Sequence, residues 1–246
     1  MAVADDLFLF DLRGFIVLKQ VLGPSELQEL NRLLEHNSQR KPGQELASQV
    51  FEDFLLWGKA FRDLVAHERI IPLLHNLIDD RIRLDRYYCL RMRPGTTGVP
   101  LHGGAKEVDL TEQYAAGDGR IRCGITTVSW ALTDMLASQG GFACIPGSHK
   151  SSLRRPASLA EEGTCLHVPL RAGDVLVFTS ALAHRGSEWT GPHERRALLF
   201  KYAPVHLAWS RAYLSWRPDL IEQLTPEQRV LFQPPHCFEG SGIGVG

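Results

Sequence analysis

From about Ile82 to Tyr202 the chain is a series of short β-rich runs cut by glycine, proline and aspartate, with no long helical stretch between them. Leu84 to Met92 is followed by the breaker Arg93-Pro94-Gly95. Ile121 to Leu132, rich in isoleucine, threonine, valine and tryptophan, forms the next run. Gly141 to Ile145 ends at Pro146-Gly147, and His167 to Leu170, Asp174 to Phe178 and Arg196 to Tyr202 complete the series. Strands of this length, joined by turns rather than crossover helices, argue against a parallel α/β sheet and predict an antiparallel sandwich or barrel.

The N-terminal third has a different texture. Gly14-Phe15-Ile16-Val17-Leu18 is a compact β run, and Gly23-Pro24-Ser25 leads into a helix on which Leu27, Leu30, Leu33 and Leu34 share a face. Further helices are predicted from Phe51 to Phe61 and from Arg69 to Ile78, with the polar stretch Gln39 to Gln49 as a loop. The reading is mainly β, α+β in class: helices over about 20–80 buttress one face of a sheet built from about 82–205, within one domain spanning 1–246. The tail 240–246, Gly-Ser-Gly-Ile-Gly-Val-Gly, is expected to be mobile.

Composition narrows the function class. With 44% hydrophobic residues the chain has enough apolar side chains for one large core. A net charge of −1 gives no electrostatic reason to expect nucleic acid or an anionic membrane as partner. No apolar run approaches the roughly 18 residues of a membrane span. Met1 to Asp6 lacks the basic and apolar regions of a secretory signal. The five cysteines stand singly, which suits reduced thiols in a cytoplasmic protein and disfavours a cysteine-based zinc site.

Of ten histidines, His36, His67 and His75 fall in the helical part without a partner pattern, and His206 and His236 lie in polar or tail segments. His102 follows a strand and a Pro-Gly loop, within Val99-Pro100-Leu101-His102-Gly103-Gly104. His184 follows the turn and strand Gly173 to Phe178, and Arg195 stands at the start of another strand. Two neutral imidazoles on neighbouring strands can hold iron(II) and leave coordination positions open. A buried guanidinium nearby can clamp a carboxylate in bidentate fashion, which suits the distal end of 2-oxoglutarate.

In this order the motifs resemble the phytanoyl-CoA dioxygenase family over nearly the whole chain. The opening Gly14 to Leu18 and Leu22 to Leu27, then Pro100-Leu101-His102, Trp130 to Met135, Gly140 to Lys150, Gly173-Asp174-Val175, His184, Gly186-Ser187 and Arg195 carry the likeness. The resemblance implies a double-stranded β-helix, a jelly-roll barrel of cupin type, with iron(II) in its mouth and 2-oxoglutarate and O2 as cosubstrates. It implies His102 and His184 as metal ligands and Arg195 as the 2-oxoglutarate clamp, with Arg196 on the opposite face of its strand. Trp130 is a candidate for the cosubstrate pocket wall, and His149 is read as part of an ordered loop.

One departure stands out. The family motif places aspartate or glutamate two residues after the first histidine, as third ligand; here that position is Gly104. Glu107 or Asp109, or a water, would fill the gap in an oxygenase. Alternatively chloride occupies the vacated position, as in iron/2-oxoglutarate halogenases, and is transferred in place of hydroxyl. A third reading is a non-catalytic binding protein on this fold. A zinc hydrolase on the same histidines would be indifferent to 2-oxoglutarate. The loop from Gly104 to Arg122 is expected to cover the barrel mouth, over a small-molecule substrate.

Overall fold

The computed structural model describes residues 3–38, 48–104, 110–153, 155–156, 159, 163–209 and 218–237. Helices α1 (Val3–Arg13) and α2 (Pro24–Ser38) flank strand β1 (Phe15–Leu18); β2 (Ser48–Phe51), α3 (Lys59–Asp63) and α4 (Ile71–Leu77) follow. Then come β3 (Ile82–Met92), β4 (Tyr114–Gly117), β5 (Arg120–Cys123), β6 (Thr126–Ala131), β7 (Gly141–Cys144), β8 (Leu166–His167), β9 (Val175–Thr179), β10 (His184–Ser187) and β11 (Arg195–Pro204). Two short helices, α5 (Pro218–Ile221) and α6 (Pro226–Leu231), complete the described chain.

A six-stranded sheet in the order β1-β9-β6-β11-β3-β2 faces a three-stranded sheet, β10-β7-β8, and every described pairing is antiparallel. Bridges Thr96↔Trp189 and His102↔His184 lay the segment 96–102 irregularly along the free edge of β10. This is an antiparallel sandwich, as the strand series predicts, with the jelly-roll architecture that the family resemblance implies.

Alternation of side chains across each strand partitions the two faces of the large sheet. Outward, Cys89, Val128, Trp130, Val177, Leu198, Phe200 and Tyr202 join Phe10, Leu30, Leu34, Phe54, Phe61 and Leu74 of the helical layer in one buried cluster. Inward, Phe15, Leu176, Phe178 and Met92 meet Phe142 and Cys144 of the small sheet. Complete burial of such side chains contributes roughly 1.5–3 kcal/mol each, so the helices stabilise the sheet through its outer face and leave the inner face for a site.

Three expectations need correction. The helix predicted from Phe51 to Phe61 is instead the end of β2, a 3-10 turn at Phe54–Trp57 and the short α3, with extended Gly58 between them. Its aromatic spacing reflects a cluster of edge-on rings, Phe54 against Phe61, Tyr87 and Phe200, rather than a continuous helical face. The predicted run Ile121 to Leu132 is two strands in different sheets, β5 and β6, and β2 begins inside the stretch read as a loop. The tail at 240–246 lies outside the described residues.

His149 locks the β7 loop to α1. Its ring is 7% exposed, Nε2 lies 3.1 Å from the Asp11 carbonyl, and Tyr114 packs edge-on at 4.4 Å. Tyr114 also donates from its hydroxyl to the Asp11 carboxylate, which Lys150 pairs at 2.7 Å. Burial pushes the His149 pKa down from 6.5 to about 4. The unfolded chain therefore binds a proton there more readily than the folded one. The associated stability is complete above about pH 6.5 and is lost as pH falls towards 4, on the order of 3 kcal/mol in full. Urea denaturation of wild type and His149→Phe at several pH values is expected to show this acid sensitivity shrinking in the variant.

Candidate metal centre

His102 and His184 face each other across the irregular edge of the small sheet. Their backbones exchange both hydrogen bonds, His102 N–H to His184 O at 3.0 Å and His184 N–H to His102 O at 2.8 Å, and the ring centroids stand 4.3 Å apart. His102 Nδ1 lies 2.9 Å from the Pro100 carbonyl and His184 Nδ1 lies 2.6 Å from the Leu182 carbonyl. A carbonyl can only accept, so each Nδ1 is the protonated nitrogen and a neutral ring presents its Nε2 lone pair. Such carbonyl contacts are what orient metal-binding imidazoles. Burial, then the neighbouring His102, push the His184 pKa down to about 3, so this ring is neutral across the physiological range. Phe142 stacks on His184 at 5.8 Å and Phe178 meets it edge-on at 4.8 Å.

Both imidazoles line a cavity of about 400 Å³ between the two sheets, and Arg195 lines the same cavity. Arg195 is 6% exposed, and its guanidinium meets two thioethers, Met135 Sδ at 3.0 Å from Nε and Met92 Sδ at 2.9 Å from Nη1. No carboxylate pairs with it among the described residues, and burial pulls its pKa down to about 10. Arg196, one residue on, turns outward to Glu35 at 2.6 Å and Asn31 at 3.2 Å on α2, as strand alternation requires. A buried guanidinium without a carboxylate partner among the described residues can receive an anion, which would offset part of its desolvation.

Trp130 is not brought to this cavity. It is fully buried in the outer cluster, edge-on to His67 at 5.1 Å, while its neighbours Thr127 and Ser129 on β6 face inward. The loop expected to cover the mouth contributes no described residue to the cavity lining. Its β4–β5 hairpin packs instead on α4 and against His149.

Gly104 also stands apart from the cavity. It lines a separate outer groove with Ile145, Pro146 and Ser148. Gly103 and Gly104 both adopt φ +72, a conformation that side chains disfavour, as the chain crosses the 180–183 turn. A Cβ on Gly103 would meet the Leu182 carbonyl at 2.4 Å, and one on Gly104 would meet Ala183 Cβ at 2.8 Å. The glycine at 104 therefore answers a backbone demand. A Cβ built there on this backbone heads for Ala183. Glu107 and Asp109, considered for the third ligand position, lie outside the described residues. Among the described residues no group of three or more His, Cys, Asp or Glu is placed to hold a metal. Two Nε2 donors and an anion receptor in one cavity fit two protein ligands of an iron site and its 2-oxoglutarate clamp.

Gly104→Asp and Gly104→Ala are expected to lose similar stability, about 1–3 kcal/mol, because both place a side chain at φ +72. Aspartate is expected to bind nickel(II) no more tightly than alanine. Denaturation and metal titration check this; tighter binding by the aspartate variant would show its carboxylate reaching the metal.

A model of the phytanoyl-CoA dioxygenase family (PhyH) matches residues 10–197. Among curated proteins, dioxygenase af480 of Aspergillus fumigatus is 25% identical over 241 residues, covering 91% of this chain and 74% of that protein. The ectoine dioxygenase of Streptomyces anulatus is 29% identical over 164 residues, covering 61% of this chain and 52% of that one. HygX of Streptomyces hygroscopicus, solved with nickel and 2-oxoglutarate, superposes with a TM-score of 0.76 at 24% identity, over 89% of this chain and 94% of HygX. The epimerase SnoN of nogalamycin biosynthesis superposes with a TM-score of 0.63 at 19% identity, over 83% and 84%. These likenesses show the fold. Among the described residues, no helix is long and apolar enough to cross a membrane.

Proposed function

We propose that this chain, which belongs to the phytanoyl-CoA dioxygenase family, is a non-haem iron(II), 2-oxoglutarate-dependent oxygenase acting on an unactivated C–H bond of a small molecule. The observation that carries the reading is the meeting of two carbonyl-oriented imidazoles and an unpaired buried guanidinium in one cavity. His102 and His184 would hold the iron through Nε2. Dioxygen activation, coupled to conversion of 2-oxoglutarate to succinate and carbon dioxide, is the chemistry that iron supplies in such a site. Arg195 receives the distal carboxylate of 2-oxoglutarate, and its fork fixes the direction in which the cosubstrate points. Phe142, Phe178 and Leu170 exclude water from the reacting end.

Family membership supports oxygenation in general and leaves the substrate open, since related folds include an epimerase. The halogenase alternative relied on room for chloride at Gly104. Oxygenation is kept as the reading because the matching family model and the dioxygenase-named relatives support it. A retained arginine clamp, with no carboxylate partner among the described residues, speaks against a purely structural or binding role.

The test is anaerobic addition of iron(II) and 2-oxoglutarate, followed by succinate release in air. Wild type is expected to develop an iron-to-cosubstrate absorption band and to form succinate; His184→Ala is expected to do neither. Arg195→Met is expected to raise the 2-oxoglutarate concentration for half-saturation about 100-fold, the loss of a bidentate charged pair. Its thermal midpoint is expected to hold or rise, because a methionine beside Met92 and Met135 replaces a buried charge. An unchanged 2-oxoglutarate response in Arg195→Met would overturn the assignment. A chlorinated product formed only with chloride present would favour the halogenase instead.

A further inference from the structure

The cavity holds more positive charge than 2-oxoglutarate needs. Arg86, Arg185 and Lys201 line it together with Arg195, and no aspartate or glutamate does so among the described residues. Arg86 and Lys201 are direct cross-strand partners on β3 and β11. The same rung continues through Thr127 on β6 to Phe178 on β9, and all four side chains face the cavity. Phe178 touches His184, so the β9 end of this rung lies beside that imidazole and the Lys201 and Arg86 end lies two and three strands away. Arg195 lies six residues back along β11, roughly 20 Å of strand. The rung and the clamp therefore occupy different ends of the cavity.

Like charges directly opposite on paired strands repel. Here the repulsion is only partly relieved. Arg86 reaches out to Glu52 at 2.9 Å on the exposed side. The half-buried Lys201 side chain makes no hydrogen bond or ion pair with a described residue; its ammonium lies 5.8 Å from the Trp209 ring, over which the Arg86 guanidinium also sits at 5.4 Å. Asp85 and Glu112 lie near enough to favour its charge, but Asp85 is held by Arg83 at 2.5 Å. Burial, then Arg86, lower the Lys201 pKa. Two cations on one rung of the cavity wall, one of them without an ion pair to a described residue, can receive an anion apart from Arg195.

We infer that the Arg86–Lys201 rung is the substrate-recognition subsite and that the molecule oxidised carries a carboxylate or a phosphate. The inference rests on the oxygenase reading for the word substrate, and on the cavity geometry alone for the anion. A carboxylate or phosphate seated there would hold the attached carbon skeleton against Phe178 and in front of the two histidines.

The experiment uses the full chain loaded with nickel(II), which is inert in this chemistry, and saturating 2-oxoglutarate. Benzoate, phenyl phosphate and benzyl alcohol are titrated as probes by ligand-observed NMR, with and without 2-oxoglutarate. Both anions are expected to bind at least tenfold more tightly than the alcohol in the presence of 2-oxoglutarate. Their ratio tells which anionic group the rung prefers. Lys201→Met and Arg86→Gln are each expected to weaken anion binding at least fivefold, and Lys201→Arg to retain it. Loss of a half-buried charge should leave the Lys201→Met fold intact; should that variant misfold, Arg86→Gln carries the comparison. Equal binding of alcohol and anions overturns the inference, as does unchanged anion binding in the folded variants. Displacement of the anions by 2-oxoglutarate, with loss of their binding in Arg195→Met, also overturns it by placing them on the clamp. Failure of wild type to bind 2-oxoglutarate counts against the oxygenase reading alone, because the probes without 2-oxoglutarate still report on the rung.

Discussion

The reciprocal pair of backbone hydrogen bonds between His102 and His184 governs the site. Two residues 82 positions apart in sequence are set opposite one another by main-chain atoms, so their rings must emerge on the same side of the sheet. Each ring is then turned by a carbonyl two residues before it, Pro100 for one and Leu182 for the other. The glycines after His102 belong to the same arrangement, because only residues lacking a Cβ let the chain cross so closely over the 180–183 turn. Ring orientation is thus established by backbone geometry, so a metal bound there would meet a preorganised pair of Nε2 atoms.

The large sheet performs two tasks with one set of strands. Odd and even positions of β11 separate an outward row, Arg196, Leu198, Phe200 and Tyr202, from an inward row that includes Arg195, Leu199 and Lys201. The outward row buys rigidity from the helical layer, which lets the inward row keep charges that no core would tolerate. Tyr202 illustrates the support: its hydroxyl donates to the Val65 carbonyl at 2.7 Å, fastening β11 to the helical layer opposite the cavity.

Much of this was readable in the chain. The strand series with its Gly/Pro/Asp breaks pointed to an antiparallel sandwich or barrel and the family resemblance to the jelly roll, and the fold brings His102, His184 and Arg195, singled out by the same pattern and resemblance, to one cavity. What escaped were features that depend on which face a residue takes or on which distant strand lies beside it. Trp130 has the composition of a pocket wall, yet strand parity turns it to the helices. Gly104 stands where the family motif has a carboxylate, and its left-handed dihedral adds a backbone requirement that no side-chain motif encodes. Arg86 and Lys201 look like scattered surface charges until the register of β3 and β11 makes them neighbours. Residues 51–61 misled because ring spacing in an aromatic cluster imitates helical period.

The thioether cradle of Arg195 links occupancy to folding. Met92 and Met135 are soft, weak acceptors, so the empty protein holds a guanidinium whose lost hydration is poorly replaced. Whatever anion seats there relieves a debt incurred during folding, and its apparent affinity includes that relief. Linkage then runs in both directions: the ligand that fills the cradle stabilises the native state by mass action, and anything that loosens the cradle weakens the ligand.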